Sequence, residues 1–276
     1  MKQILFLLLF SFLFASTPDF YQNLLIKEAS LNVRESGHSY YLQHPSNNKV
    51  ALLVHGYTSN PTETLNLGNY LYNQCFDVFA IRLTGHGTTP EDLKNTKWQE
   101  WYSSATEAYV FCSENYKNVY VFGVSAGALV GLKLAENYNI NGLVVAGTFL
   151  YLNSNAKYAY WLYPITKLLH IPLGHIDVPI PPERQHITYL RNPIDSAVQL
   201  SYFAKNVKKQ LSKVTCPILI MHYPNDDVAD PKSAHYVYNK VKSANKKLVW
   251  AGKEHSFLID TDKSLYKKIS DWYLGL

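Results

Sequence analysis

The sequence predicts an α/β fold in which helices flank both faces of a mostly parallel β-sheet. Two observations lead to this prediction. Short apolar runs, typical of strands buried in a parallel sheet, alternate along the chain with segments of helical periodicity. Polar residues suited to chemistry follow directly after several of these runs. Because the functional sites of parallel sheets lie beyond the carboxyl ends of the strands, the pattern predicts one site at that edge.

The elements are predicted from the apolar runs and from the periodic segments between them. Strands are expected at residues 49–54, 76–83, 119–124, 142–146, 217–222 and 247–251. Helices are expected at about residues 62–73, 98–114, 126–137 and 264–273. Residues 19–48 are expected to be irregular, apart from a short strand near residues 38–44.

The alternation of strands and helices breaks between about residues 148 and 213. This stretch holds an aromatic cluster from Tyr151 to Tyr163, several prolines and an amphipathic run around residues 194–211. We interpret it as a cap inserted over the strand ends of one domain, residues 19–276. The aromatic rings could contact acyl chains or a membrane, or they could simply pack the cap onto the core.

Composition favours a globular protein with a sizeable core. The chain has 276 residues, of which 47% are hydrophobic, and its net charge is only +5. It contains no nucleic-acid-binding motif, so no nucleic-acid partner is predicted. Lysines cluster loosely at residues 205–213 and 240–247. We interpret these clusters as solvated helix faces; the alternative is peripheral contact with an anionic membrane surface.

The three cysteines are expected to be ordinary small core residues. Cys75 and Cys216 border apolar strand-like runs, and Cys112 lies in a helical pattern. Neither a disulfide framework nor a metal site is predicted from these positions.

The N-terminal segment has the pattern of a secretory signal peptide. Lys2 precedes an apolar run from Ile4 to Phe14, and small residues follow. The run is shorter than the roughly 20 residues of a membrane span. We therefore predict that residues 1–18 direct export to the periplasm or the medium. Because large side chains occupy the cleavage region, the segment could instead stay uncleaved as a weak membrane anchor.

The chemistry is predicted to centre on Gly123-Val-Ser-Ala-Gly127, which joins a predicted strand to a predicted helix. A sharp turn at such a junction presents the serine side chain above the sheet, and the flanking glycines relieve crowding. The positive end of the helix favours negative charge that develops nearby. Ser125 is the candidate nucleophile. The alternative is a glycine-rich turn that serves packing alone.

A serine nucleophile needs a base and a group that orients the base. His255 is the candidate base, because it lies between the last predicted strand and the last predicted helix. Asp226, Asp227 and Asp230 follow the preceding strand and compete as the acid. Adjacent loop residues point in different directions, so only one of Asp226 and Asp227 can reach His255.

The oxyanion hole needs two backbone N–H groups aimed at one oxygen. The first candidate is Ala126, the residue after the nucleophile. The second should come from the turn His55-Gly56-Tyr57, which follows the first apolar strand, and Tyr57 is the candidate there.

Taken together, these motifs resemble the small bacterial carboxylesterases and monoacylglycerol lipases of the α/β-hydrolase superfamily. The resemblance rests on the segments 55–60, 83–92, 123–127 and 225–231 and on His255. It implies an α/β-hydrolase fold with Ser125, Asp226 and His255 as the triad, and so favours Asp226 over Asp227. It further implies oxyanion donors at Tyr57 and Ala126, a small monoacyl ester as substrate, and no cofactor.

Two alternatives remain. An acyltransferase or thioesterase would use the same triad and differ only in the groups that enter the site. A non-catalytic binding protein of the same fold would be expected to lack one of the three triad residues, and this chain retains all three. The sequence does not fix the oligomeric state.

Overall fold

A computed structural model of the protein describes residues 18–151, 174–178, 180, 182–252, 255 and 263–276. The strands of the described residues are β1 (Tyr40–Leu42), β2 (Lys49–Val54), β3 (Asp77–Ile81), β4 (Asn118–Val124), β5 (Gly142–Ala146), β6 (His175–Asp177), β7 (Arg191–Pro193), β8 (Ile218–His222) and β9 (Lys246–Trp250). The α-helices there are α1 (Pro18–Ala29), α2 (Leu65–Tyr72), α3 (Pro90–Lys94), α4 (Trp98–Asn115), α5 (Ala126–Asn137), α6 (Ile194–Gln210), α7 (Lys232–Lys240) and α8 (Lys263–Leu274).

The main sheet has the order β1-β3-β2-β4-β5-β8-β9. Strand β1 is antiparallel to β3, and the other neighbours are parallel. Strand β4, which leads to Ser125, lies between β2 and β5, with Val54 paired to Gly123 and Val124 paired to Ala146. The predicted mostly parallel sheet is confirmed, with an antiparallel strand at one edge.

Each face of the sheet carries its own apolar core. Val50, Leu52 and Val54 of β2 pack on the side of α4, α5 and α6, whereas Ala51 and Leu53 pack on the side of α2 and α8. Both sets of side chains are fully buried. Burial on both faces explains why the central strands read as continuous apolar runs and do not alternate with polar residues.

The prediction that residues 19–48 are mostly irregular was wrong, because helix α1 covers residues 18–29. Tertiary contacts stabilise this helix. Phe20 stacks on Phe111 of α4 with ring centroids 4.8 Å apart, and the buried carboxylate of Glu28 accepts hydrogen bonds from Ser39 and Arg82. Such contacts outweigh a weak local pattern.

The cysteine prediction is confirmed for two residues and wrong for the third. Cys112 and Cys216 are buried, but Cys75 is exposed. Cys75 has a φ of 60° in the tight turn before β3, and the buried run begins only with the next residue, Phe76.

The chain segment that crosses over from β5 to β8 has described residues that form a small second sheet beside the main sheet. Strands β6 and β7 form a small antiparallel pair, and α6 buries Phe203 against Trp98 with ring centroids 4.9 Å apart. Residues 152–163, which hold most of the predicted aromatic cluster, lie outside the described residues. The cap over about residues 148–213 therefore stays a prediction.

Candidate active site

Ser125 lies at the sharp junction of β4 and α5. Its backbone has φ 54° and ψ −113°, a conformation rare for residues with a side chain. The Ser125 N–H donates to the Ala146 carbonyl at 2.8 Å, which fixes the turn against β5. A Cβ on Gly123 would lie 2.1 Å from the Gly127 oxygen, so the chain crosses itself too closely for any side chain there.

Alanine at position 127 is expected to destabilise the fold strongly. The added Cβ would lie 2.2 Å from the Val54 oxygen and 2.5 Å from the His55 oxygen, both of them backbone atoms that cannot rotate away. Overlap of this kind is expected to lower the free energy of unfolding by at least about 3 kcal/mol, measured by urea unfolding.

Gly131→Ala is the matched control for this change, because it lies on the same helix. Its new Cβ would meet only side chains, with Leu143 nearest at 3.0 Å. A Gly127→Ala protein as stable as the Gly131→Ala protein would contradict the close crossing at the junction.

A continuous hydrogen-bonded chain links Ser125, His255 and Asp226. The Ser125 Oγ lies 2.8 Å from His255 Nε2, and His255 Nδ1 lies 2.7 Å from Asp226 Oδ2. Ser125 and Asp226 are buried, and the His255 side chain is 13% exposed. In this arrangement Nδ1–H donates to the carboxylate, which leaves Nε2 as an acceptor for the serine hydroxyl.

Asp226 is held in place by its own loop. Its Oδ1 accepts the backbone N–H groups of Val228 and Ala229 at 2.9 and 2.8 Å. Burial alone would raise the pKa of Asp226, but the hydrogen bond from His255 and those backbone donors bring the pKa below its usual value. Asp226 is therefore an anion at neutral pH.

The competing aspartates lie elsewhere. Asp227 is exposed, and Asp230 accepts the N–H of Lys232 at the start of α7. Of the three candidates, Asp226 is the residue that the described structure joins to His255.

His222, the last residue of β8, lies beneath the acid. It is fully buried, and its Nε2–H donates to the Ala229 carbonyl at 3.0 Å. The same nitrogen lies 3.4 Å from Asp226 Oδ2. Burial is the main cause that lowers the pKa of His222, so the ring is neutral. Its hydrogen bond to the Ala229 carbonyl stabilises the loop that carries Asp226 without adding a charge.

The turn after β2 faces Ser125 from the other side. A Cβ on Gly56 would lie 3.4 Å from the Ser125 Cβ, so the two backbones are close neighbours. The Gly56 N–H already donates to the buried carboxylate of Glu63 at 2.6 Å. In contrast, the N–H groups of Tyr57 and Ala126 donate to no other described residue. These two donors are available for an oxyanion.

His55 supports this turn as a neutral ring. Its Nδ1–H donates to the Gly56 carbonyl at 2.8 Å, and its Nε2 accepts the Leu83 N–H at 3.1 Å. Burial lowers the pKa of His55 to about 4. Protonation of the ring would abolish the acceptor for the Leu83 N–H. The neutral ring therefore stabilises the folded protein at pH values above about 6.5, the pKa of histidine in the unfolded chain. This stabilisation is lost as the pH falls through about 4, the pKa of His55 in the folded protein.

We expect His55 to stay neutral between pH 7 and pH 5 in the folded protein. Long-range ¹H–¹⁵N spectra of the labelled chain should show a protonated Nδ1 and an unprotonated Nε2 throughout this range. The urea-unfolded chain is the control, in which histidine rings should titrate near pH 6.5. A folded-state signal of His55 that titrates above pH 5 would contradict the buried, doubly bonded ring.

The structure also contains groups around the site that the sequence patterns did not identify. They are Glu63 on the Gly56 N–H, Tyr189, whose N–H donates to the Thr58 carbonyl, and Ser196, which contacts the Tyr57 hydroxyl. Two of them, Tyr189 and Ser196, come from the crossover segment, and Ser196 is 139 residues away in sequence from Tyr57. No local pattern marks such long-range partners.

The chain matches known proteins over most of its length. A family model described as Hydrolase_4, serine aminopeptidase S33, matches residues 45–185. A carboxylesterase of Bacillus subtilis (strain 168) is 24% identical over 219 residues, which cover 79% of this chain and 88% of that protein. A thermostable monoacylglycerol lipase of Bacillus sp. (strain H-257) is 28% identical over 199 residues, 72% of this chain and 78% of that one.

Among solved structures, one from work on the metagenome-derived lipolytic enzymes LipS and LipT is similar to the structure of this chain. Its TM-score is 0.78 at 23% sequence identity, and the match covers 88% of this chain and 100% of the other. This likeness confirms the α/β-hydrolase fold predicted from the motifs. Because the family model covers half of the sequence, including Ser125 and the turn at residues 55–58, we conclude that the chain belongs to the Hydrolase_4 family, serine aminopeptidase S33, of the α/β-hydrolase superfamily.

Proposed function

We propose that the protein is a serine hydrolase that cleaves carboxylic esters, of monoacyl or short-chain type, through an acyl-enzyme on Ser125. The observation that carries the proposal is the hydrogen-bonded chain from Asp226 through His255 to Ser125. The carboxylesterase and monoacylglycerol lipase relatives support ester hydrolysis as the reaction.

The mechanism follows from the roles these atoms can take. His255 Nε2 accepts the Ser125 proton while Oγ attacks the ester carbonyl, and Asp226 stabilises the imidazolium that forms. The N–H groups of Tyr57 and Ala126 donate to the tetrahedral oxygen. His255 then protonates the departing alcohol, and a water molecule activated by His255 hydrolyses the acyl-enzyme.

The first test is the activity of the full chain on p-nitrophenyl esters of increasing acyl length and on monoacylglycerols. We expect Ser125-dependent turnover that peaks within one of these series. Alanine p-nitroanilide belongs in the same panel, because the family description names an aminopeptidase. Preference for the anilide over every ester would overturn the proposal.

Acyl transfer is the principal alternative, and the same assay separates it from hydrolysis. Addition of glycerol or an amine should leave free fatty acid as the main product if water is the natural acceptor. An acyltransferase would form mainly the new ester or amide, and a thioesterase would prefer acyl thioesters to oxygen esters of equal chain length.

We also propose export of the protein, on the signal-like pattern of residues 1–18. The described residues include no helix that is long and apolar enough to span a bilayer. Helix α1 begins at Pro18, so cleavage after residue 18 would still leave Phe20 in the chain to pack on Phe111. Mass spectrometry of the protein from the periplasmic fraction should find an N-terminus near residue 18. An intact N-terminus in the membrane fraction would indicate an anchor.

Peripheral membrane contact is a separate proposal that rests on the lysine clusters at residues 205–213 and 240–247. Lys208 and Lys240 lie over the Tyr236 ring at 5.0 and 5.7 Å, which brings both clusters to one patch. Binding to phosphatidylserine vesicles but not to phosphatidylcholine vesicles, weakened by salt, would support contact. Equal recovery of the protein in the supernatant of both would overturn it.

A further inference from the structure

The turn at residues 55–58, which carries the proposed oxyanion donor of Tyr57, is bonded to the crossover segment between β5 and β8 through the Tyr57 side chain. The Tyr57 hydroxyl lies 2.8 Å from Ser196 Oγ and 3.2 Å from the Pro193 carbonyl. Ser196 is fully buried in the first turn of α6, and its own hydroxyl donates to Pro193 at 2.9 Å. The Tyr57 hydroxyl therefore has the Ser196 oxygen as its best acceptor, and Tyr57 itself is half-buried.

The next residue of the turn is bonded to the same segment. The Thr58 carbonyl accepts the Tyr189 N–H at 3.1 Å, and Thr58 Oγ1 lies 3.0 Å from the Thr188 hydroxyl. Thr58 has a φ of 60°, an unfavourable conformation for a β-branched residue that must be maintained by its surroundings. These contacts fix the backbone that follows Tyr57.

On its other side the turn is fixed by Glu63, which accepts the Gly56 N–H at 2.6 Å. The Tyr57 N–H lies between these two attachments and is free of described acceptors. The Tyr57 ring packs near His86 and Trp101, with ring centroids 6.4 and 6.3 Å away. Displacement of this ring would move the peptide that carries the free N–H.

We propose that Ser196 is a positioning residue for the oxyanion hole, acting through the Tyr57 hydroxyl. This inference rests on the proposed function, in which the Tyr57 N–H is an oxyanion donor. Helix α6 packs on the core through Phe203 and Val207, so it provides a rigid anchor for the tyrosine. A donor that is displaced by about 1 Å loses much of its effect on the transition state.

Loss of either hydroxyl should lower kcat more than it changes KM. For Ser196→Ala and for Tyr57→Phe we expect kcat for p-nitrophenyl butyrate to fall about 10- to 100-fold, with KM changed less than about threefold. The double variant should lose no more than the stronger single variant, because both changes remove one bond. A boronic acid that mimics the tetrahedral state should bind each variant correspondingly more weakly.

Ser201→Ala is the matched control, because Ser201 lies on the same helix and its hydroxyl bonds within that helix, to the Ala197 carbonyl. We expect it to leave kcat and boronic acid affinity unchanged. Thermal unfolding of every variant shows whether Ser196 contributes to stability alone. A Ser196→Ala protein with lower stability but unchanged kcat would overturn the inference, as would fully additive losses in the double variant.

The proposed function and the role of Ser196 fail in different ways. If the parent protein showed no Ser125-dependent turnover of any ester, the proposed function would fail and the inference with it. If the parent protein turned over esters while Ser196→Ala and Tyr57→Phe kept the parent kcat, only the role of Ser196 would be wrong.

Discussion

Replacing Ser125 with alanine is expected to lower kcat for ester hydrolysis by roughly four to six orders of magnitude, because no acyl-enzyme can form. The residual rate should be that of water attack assisted by the oxyanion donors. Initial rates with p-nitrophenyl butyrate at neutral pH, compared with the parent protein, measure the loss.

The alanine protein should remain folded, which separates lost chemistry from lost structure. Ser125 contributes its backbone N–H to the Ala146 carbonyl, and alanine keeps that bond. A thermal midpoint near that of the parent protein is therefore expected. Turnover by the folded variant within tenfold of the parent rate would contradict nucleophilic catalysis by Ser125.

Asp226→Asn is expected to lower kcat by about four orders of magnitude, with little change in the overall fold. The oxygen of the new amide could still accept the N–H groups of Val228 and Ala229, which now bond to Asp226 Oδ1. However, an amide nitrogen toward His255 would favour the wrong tautomer and would not stabilise the imidazolium. The loss should appear in kcat, measured under saturating ester.

Asp227→Asn provides the control, since it makes the same chemical change at the adjacent, exposed residue. It should retain the parent kcat. A large loss with Asp227→Asn and none with Asp226→Asn would show that the other aspartate orients His255.

Local signals in the sequence account for the strands of the main sheet and for the sharp turn at Ser125. The buried runs of β2, β4, β5 and β8 are apolar on both faces, so the strands could be recognised without tertiary information. The glycines at 123 and 127 are required by close backbone approaches, which makes the turn around Ser125 visible as a motif.

Other features depend on partners that are distant in sequence. Helix α1 has a weak periodic pattern, and its position depends on Phe111 and on a buried bond between Glu28 and Arg82. The bond between Tyr57 and Ser196 joins residues 139 apart. Neither contact has a local signature, so one sequence alone does not reveal it.

The most direct measurement of catalysis by Ser125 is the site at which a fluorophosphonate modifies the full chain. Ser125 is the single hydroxyl of serine or threonine in the tryptic peptide from Asn118 to Lys133. We predict that mass spectrometry finds the adduct on this peptide at Ser125 and that Ser125→Ala abolishes it. Stable folded protein that hydrolyses esters yet carries no adduct on this peptide would contradict a Ser125 nucleophile.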